Sequence, residues 1–229
     1  MIPAPERAEA AAMRSWSAAA AEGRVAEIGG ATAVAYMPTP GSAMFNRVLG
    51  LGLAEPATDE SLAAVADFYA DAGTEYCITL APEARPADLP ARLERRGLVR
   101  GYGWTKFVRD ASPAAPAASE LRVERTRDGD AFAEVVVRAF GAPVLLRPLL
   151  RALPSLDGWA CYLAFAEGEP RAAGAVHVDG DAAWLGIAGT FPEARGRGAQ
   201  SALLAARIEA ARAARARPSR SGAGGVGLG

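Results

Sequence analysis

The chain has little of the chemistry that usually announces a site. One histidine, His177, and two cysteines, Cys77 and Cys161, occur in 229 residues. That is too few thiols for a disulfide framework and too few ligands for a zinc site. Each cysteine lies inside an apolar run, Tyr76-Cys77-Ile78-Thr79-Leu80 and Trp159-Ala160-Cys161-Tyr162-Leu163, which predicts buried structural thiols. Charge of one sign is missing too. With 25 basic and 26 acidic residues the formal net charge is -1, so no global field selects nucleic acid or an anionic membrane. The longest uncharged stretch, Ile28 to Asn46, is broken by Gly29, Gly30, Pro38, Pro40 and Gly41 and would make a poor membrane span. The opening Met1-Ile2-Pro3-Ala4-Pro5-Glu6 places no basic region before an apolar block, so no signal peptide is read and a soluble, cytoplasmic protein is expected.

What is present is ordinary globular material. Hydrophobic residues make up 51% and charged residues 22%, in a chain long enough for one large domain or two small ones. An Ala-rich amphipathic helix is expected from Pro5 to Ala21, then strands over Arg24–Ile28 and Ala31–Met37 around a Gly29-Gly30 turn. Met44–Leu53 reads as extended, Asp59–Asp71 as a helix stopped by Gly73, and Glu75–Leu80 as a strand. A helix over Pro86–Arg96 and a strand over Tyr102–Arg109 complete the first half. Residues 111–120, rich in Ala, Pro and Ser, read as a linker too poor in large apolar groups to pack.

Beyond the linker the pattern restarts. Leu121–Glu124 alternates as a strand, and Asp130 is expected to cap a helix that carries Phe132, Val135, Val136 and Phe140 up to Gly141. A helical stretch over Val144–Leu153 contains Pro148, where a kink is expected. Strands follow at Trp159–Ala166, Arg171–Val178 and Ala182–Ala188, then a helix from Gln200 to Arg217 with Leu203, Leu204, Ile208 and Ala211 on one side. Strands alternating with helices argue for an α/β sandwich with some parallel pairing. Strand, glycine-containing turn and helix recur in both halves after a hairpin, which reads as a duplicated unit.

The chemistry concentrates in Phe191-Pro192-Glu193-Ala194-Arg195-Gly196-Arg197-Gly198-Ala199-Gln200. A strand ends, a two-glycine turn follows and a helix begins. N–H groups of the turn and first helical turn lack intrahelical partners, and the helix dipole favours negative charge at that point. Gly196 and Gly198 allow positive φ and close approach to the backbone, while Arg195 and Arg197 add cations. The physics indicates a phosphate or pyrophosphate site. No Gly-Lys-Ser/Thr follows Gly198, so this is no P-loop, and Ser201 stands where the dinucleotide fingerprint needs Gly or Ala.

Pro192, Arg195, Gly196 and Gly198 are similar, as they stand, to the Arg/Gln-x-x-Gly-x-Gly/Ala turn of the GNAT superfamily of N-acetyltransferases; Gln200 stands where that family usually has Gly or Ala. The resemblance covers about Leu121 to Arg217. It implies a mixed-sheet acyl-CoA N-acyltransferase fold in two tandem units: 1–110 as a degenerate unit, 111–120 as linker, 121–217 as an incomplete acetyl-CoA-binding unit, and 218–229 as a disordered tail. The abrupt Gly-rich end reads as a truncation, and the family's late tyrosine acid has no counterpart. In the first unit the equivalent turn, Gly50 to Pro56, has no Arg and carries Glu55, which would repel phosphate.

The resemblance further implies transfer of an acetyl group from acetyl-CoA to a small-molecule or peptide amine by direct attack. Ile187, Ala188, Gly189 and Thr190 on the fourth strand would hold the pantetheine arm, with a backbone donor near Ala188 or Gly189 polarising the thioester carbonyl. Arg195, Gly196, Arg197, Gly198, Ala199 and Gln200 would hold the phosphates. No base stands out; His177 is a weak candidate, Glu193 reads as solvated, and Trp184 reads as core or as a substrate-lining residue. No metal is implied, nor a nucleic acid or membrane partner, and a homo-oligomer is compatible with an open sheet edge. The alternative reading is a catalytically silent acyl-CoA-binding protein or inactive remnant.

Overall fold

The computed structural model describes residues 2–215, apart from Pro40 and Glu120. The expectations for Ala216, Arg217 and the 218–229 tail lie outside the described residues. The chain opens with α1 (Ala4–Ala18) and builds a first sheet from β1 (Gly23–Ile28), β2 (Ala31–Tyr36), β3 (Arg47–Leu49) and β4 (Cys77–Thr79), in that spatial order. Gly29 and Gly30, at φ 54° and 69°, turn β1 into antiparallel β2. Between β3 and β4 runs α2 (Asp59–Ala72), a crossover that makes this pair parallel. Thr58 and Ser61 cap the start of α2 reciprocally, and Gly73 ends it in the left-handed conformation. A short α3 (Leu89–Arg95) closes the half.

The second sheet is antiparallel, in the order β5 (Arg122–Thr126), β6 (Trp159–Ala166), β7 (Glu169–Asp179), β8 (Ala182–Thr190). Between β5 and β6 lie α4 (Gly129–Phe140) and α5 (Arg147–Ala152), and α6 (Ala199–Arg215) follows β8. The expected α/β architecture with a parallel pair is therefore the architecture observed. No helix among the described residues is long and apolar enough to cross a membrane.

Four local expectations need correction. Tyr102–Arg109 is irregular, not a strand: it pairs with no strand among the described residues, and Tyr102, Phe107 and Val108 are exposed. Only Arg47–Leu49 of the extended Met44–Leu53 run pairs, because Gly50 and Gly52 take positive φ immediately after. Asp128, not Asp130, caps α4, accepting from the Ala131 N–H at 2.9 Å; Asp130 sits in the first turn, where its charge suits the dipole. Pro148 begins α5 instead of kinking it, since a first-turn proline forfeits no helical bond.

One hydrophobic cluster takes side chains from both sheets. Met13 and Trp16 of α1 pack with Val34, Tyr36 and Leu49 on one side and with Phe132, Trp159 and Cys161 on the other. Trp16 is fully buried, and its Nε1 donates to the Leu149 carbonyl at 2.8 Å, which satisfies the indole inside the core. Cys161 is buried as expected, and burial pushes its thiol up to about 12. A second cluster, with Val65, Tyr69 and Leu89, fills the space between the first sheet and α2 and α3, and a third, with Ala164, Ala172 and Leu203, lies under α6.

Candidate active site

The last three strands set up the site. Along β7 and β8 the register is regular from Asp179↔Ala182 to Ala175↔Gly186, then jumps to Ala173↔Gly189. One residue of β7, Gly174, thus faces two of β8, Ile187 and Ala188. This is a β-bulge, and Ile187 carries it at φ 52°, a conformation that costs a β-branched side chain about 1–3 kcal/mol. A bulge takes backbone groups out of the ladder. Here it does so at Ile187 and Ala188, among the residues expected to meet the pantetheine arm and the thioester.

Beyond the bulge, β8 ends at Thr190, a 3-10 turn spans Pro192–Ala194, and the two-glycine turn leads into α6. The Ala202 N–H donates to the Gly198 carbonyl at 3.0 Å, so the N–H groups of the preceding residues have no intrahelical acceptor. Gly196 has φ 76° and open space where a Cβ would stand. Gly198 also has positive φ, at 77°, and a further reason to lack a side chain: a Cβ there would come 2.4 Å from the Ala118 carbonyl oxygen. The linker, not only an anion, demands that glycine. Residues 111–119 follow this end of the domain closely, with the Ser119 hydroxyl donating to the Arg197 carbonyl and the Arg212 guanidinium to the Ala111 carbonyl.

Bulge, turn and helix start border an open cavity of about 400 Å³. Of the expected residues, Ala188, Gly189, Thr190, Arg195, Gly196, Gly198, Ala199 and Gln200 line it, while Ile187 and Arg197 do not. Arg197 instead faces Glu167, 3.5 Å away. Gln200 bonds inward, to Thr190. The sequence reading missed Ala139, Phe140, Ala194 and Ser201, which complete the wall. Phe140 packs so close to Gly189 that a Cβ on the glycine would meet its ring at 3.1 Å, which gives Gly189 a packing reason to lack a side chain. Among the described residues, Arg195 is the one ionisable side chain in the lining.

The other candidates stand elsewhere. His177 is 6% exposed, paired across the sheet with Trp159 and Trp184, four residues along β7 from the partner of Gly189. It is not in the cavity wall. Burial lowers its pKa, and its Nδ1 has no partner among the described residues. Glu193 pairs with Arg138 at 2.7 Å, and the Trp184 indole covers Gly186, where a Cβ would meet it at 2.0 Å.

In the first half the turn after β3 is filled from within. The Arg85 N–H donates to the Gly52 carbonyl at 2.9 Å, and its guanidinium donates to the carbonyls of Leu53 and Ala54. The carbonyl oxygens of that turn are thus occupied by protein groups.

No family model and no curated protein matches the chain. Among solved structures it is similar to a GCN5-related N-acetyltransferase from Kribbella flavida, with 16% identity over 93% of this chain and 82% of that one and a TM-score of 0.54. A candidate acetyltransferase from Pyrococcus horikoshii matches 41% of this chain and 35% of its own length, at 20% identity and a TM-score of 0.35. Mixed and antiparallel sheets, their helices and the near full-length superposition agree: the chain has the α/β fold of the GCN5-related N-acetyltransferases.

Proposed function

We propose that the cavity binds acetyl-CoA and that the chain transfers the acetyl group to an amine of a small molecule or peptide. The observation that carries this reading is the meeting of two backbone features in one cavity. A bulged strand edge at Ala188 and a glycine turn at the start of α6 together wall a space of about 400 Å³. The turn suits a pyrophosphate, with Arg195 as cation and free N–H groups as donors. The bulge suits a thioester, because an N–H outside the ladder can meet the oxygen on which charge develops. The amine nitrogen would attack the carbonyl carbon, the C–S bond would break, and the CoA thiolate would leave. The amine proton passes to water, since among the described residues no carboxylate, imidazole or phenol lines the cavity.

That last fact also favours the second reading, a silent acyl-CoA-binding protein. On either reading the first half serves the second structurally, since its turn at Gly50 to Pro56 has no arginine and carries Glu55. Calorimetric titration with CoA, ATP and NAD tests the ligand, with CoA expected to bind in preference. A folded sample that ignores CoA overturns both readings, and binding without turnover of acetyl-CoA over a panel of amines selects the silent one.

A further inference from the structure

Arg207 stands in the third turn of α6 and is only 4% exposed. No carboxylate accompanies it in any ion pair among the described residues, and burial alone pulls its pKa down to about 10. A charge is not taken out of water without something to receive its donors. Here three carbonyls do so. Nε donates to Leu203 O at 3.1 Å, one turn back on α6, and Nη1 donates to Ala175 O at 3.4 Å and Gly186 O at 3.3 Å.

Those two strand residues form the last regular pair of β7 and β8 before the bulge. The residue opposite the bulge, Gly174, is also the one whose lack of a side chain makes room for the guanidinium: a Cβ there would come 3.0 Å from Arg207 Nε. Gly174, the Ala175–Gly186 pair and Arg207 therefore describe one device. The ladder breaks, and a cation from the helix behind the sheet pins the carbonyls on one side of the break.

We propose that Arg207 is a positioning residue for acyl transfer: by holding the Ala175 and Gly186 carbonyls it fixes the Ile187–Ala188 bulge and so aims the freed backbone N–H at the thioester oxygen. The guanidinium touches neither ligand nor reacting atom. It acts through the strand. The inference rests on the reading of the cavity as an acetyl-CoA site, but its first measurement does not.

The test uses Arg207→Met, which keeps the length and removes the donors, and Arg207→Lys, which keeps a donor and the charge. In the protein without ligand, amide exchange in the ladder on either side of the bulge, at Leu185–Gly186 and Gly189–Thr190, should quicken about tenfold in the Met variant and recover in part with Lys. Unchanged exchange overturns the proposal even if CoA never binds. With acetyl-CoA carrying a ¹³C-labelled carbonyl, the infrared band of the bound thioester should shift down in the parent protein and lose that shift in Arg207→Met. The affinity for CoA should meanwhile stay within about threefold, since the phosphate turn is untouched. An identical band in parent and variant overturns the proposal. Should Arg207→Met fail to fold, Gly174→Ala crowds the guanidinium while leaving it present. It should quicken exchange and lose the band shift in the same way, and a Gly174→Ala protein that behaves as the parent does in both overturns the proposal.

Discussion

The Gln200 amide donates to the Thr190 hydroxyl at 2.7 Å, tying the first turn of α6 to the end of β8 along the cavity wall. The side chain thus occupies a strand hydroxyl and leaves the backbone donors of the helix start to a ligand. Gln200→Ala removes one neutral hydrogen bond, worth about 1 kcal/mol, and should lower the melting temperature by a few degrees. CoA affinity should stay within about threefold, because the phosphate donors are backbone groups. A loss beyond tenfold would mean that the amide itself grips the phosphate.

The two glycines of the turn should separate on substitution. Gly198→Ala faces both a left-handed φ and the Ala118 carbonyl, so it should destabilise by more than about 2 kcal/mol and expose the linker to protease. Gly196→Ala meets the same φ but open space, and should cost only about 1–2 kcal/mol. Paired thermal unfolding and CoA titrations would read the difference; equal losses would contradict it.

Acid should reach the core through His177. Burial depresses its pKa, so the unfolded chain takes up a proton first as pH falls below about 6.5, and stability drops from there down to the folded value. The groups acting on it are Asp179, which raises its pKa, and Arg14, which lowers it. Because this is the one histidine, His177→Phe should flatten the stability profile just below about pH 6.5 while leaving the carboxylate losses at lower pH. Denaturant melts across that range would show it, and an unchanged slope would refute it.

A buried ion cluster offers a different test. Arg47 is fully buried, 2.8 Å from Glu9, with the Trp104 ring against its guanidinium, while Nε and Nη1 have no partner among the described residues. Lys106 closes the cluster on Glu6 and Glu9, each at 2.6 Å. Arg47→Met should destabilise by about 2 kcal/mol because it leaves the buried Glu9 carboxylate with Lys106 as its remaining cation, and adding Glu9→Gln should recover part of that. Additive losses in a double-mutant cycle would show that the pair is not coupled.

The sequence was most legible where local rules act alone. The hairpins, the glycine stops at Gly73 and Gly141, and the strand–turn–helix around Arg195 all stand where their residues put them. It misled where a neighbour decides. Tyr102–Arg109 reads as a strand but has none beside it among the described residues, and Leu204, counted on the apolar stripe of α6, is 44% exposed. The bulge was hidden because a β-branched residue such as Ile187 gives no hint of positive φ. Arg207 did leave a signal, an arginine four residues after Leu203 on the helix face that meets the sheet.

The position of Trp16 bears on how such a chain can change over generations. Its ring belongs to the same cluster as Phe132 and Trp159, and its N–H holds the backbone of α5, so the N-terminal helix is part of the foundation under the C-terminal cavity. Removing a fully buried tryptophan costs about 3–5 kcal/mol, a large share of the stability of a typical domain. The first half is therefore bound to the second through its helix. Substitutions in the N-terminal helix are therefore felt at a cavity built from the other half, and the two halves should melt together as a single cooperative body.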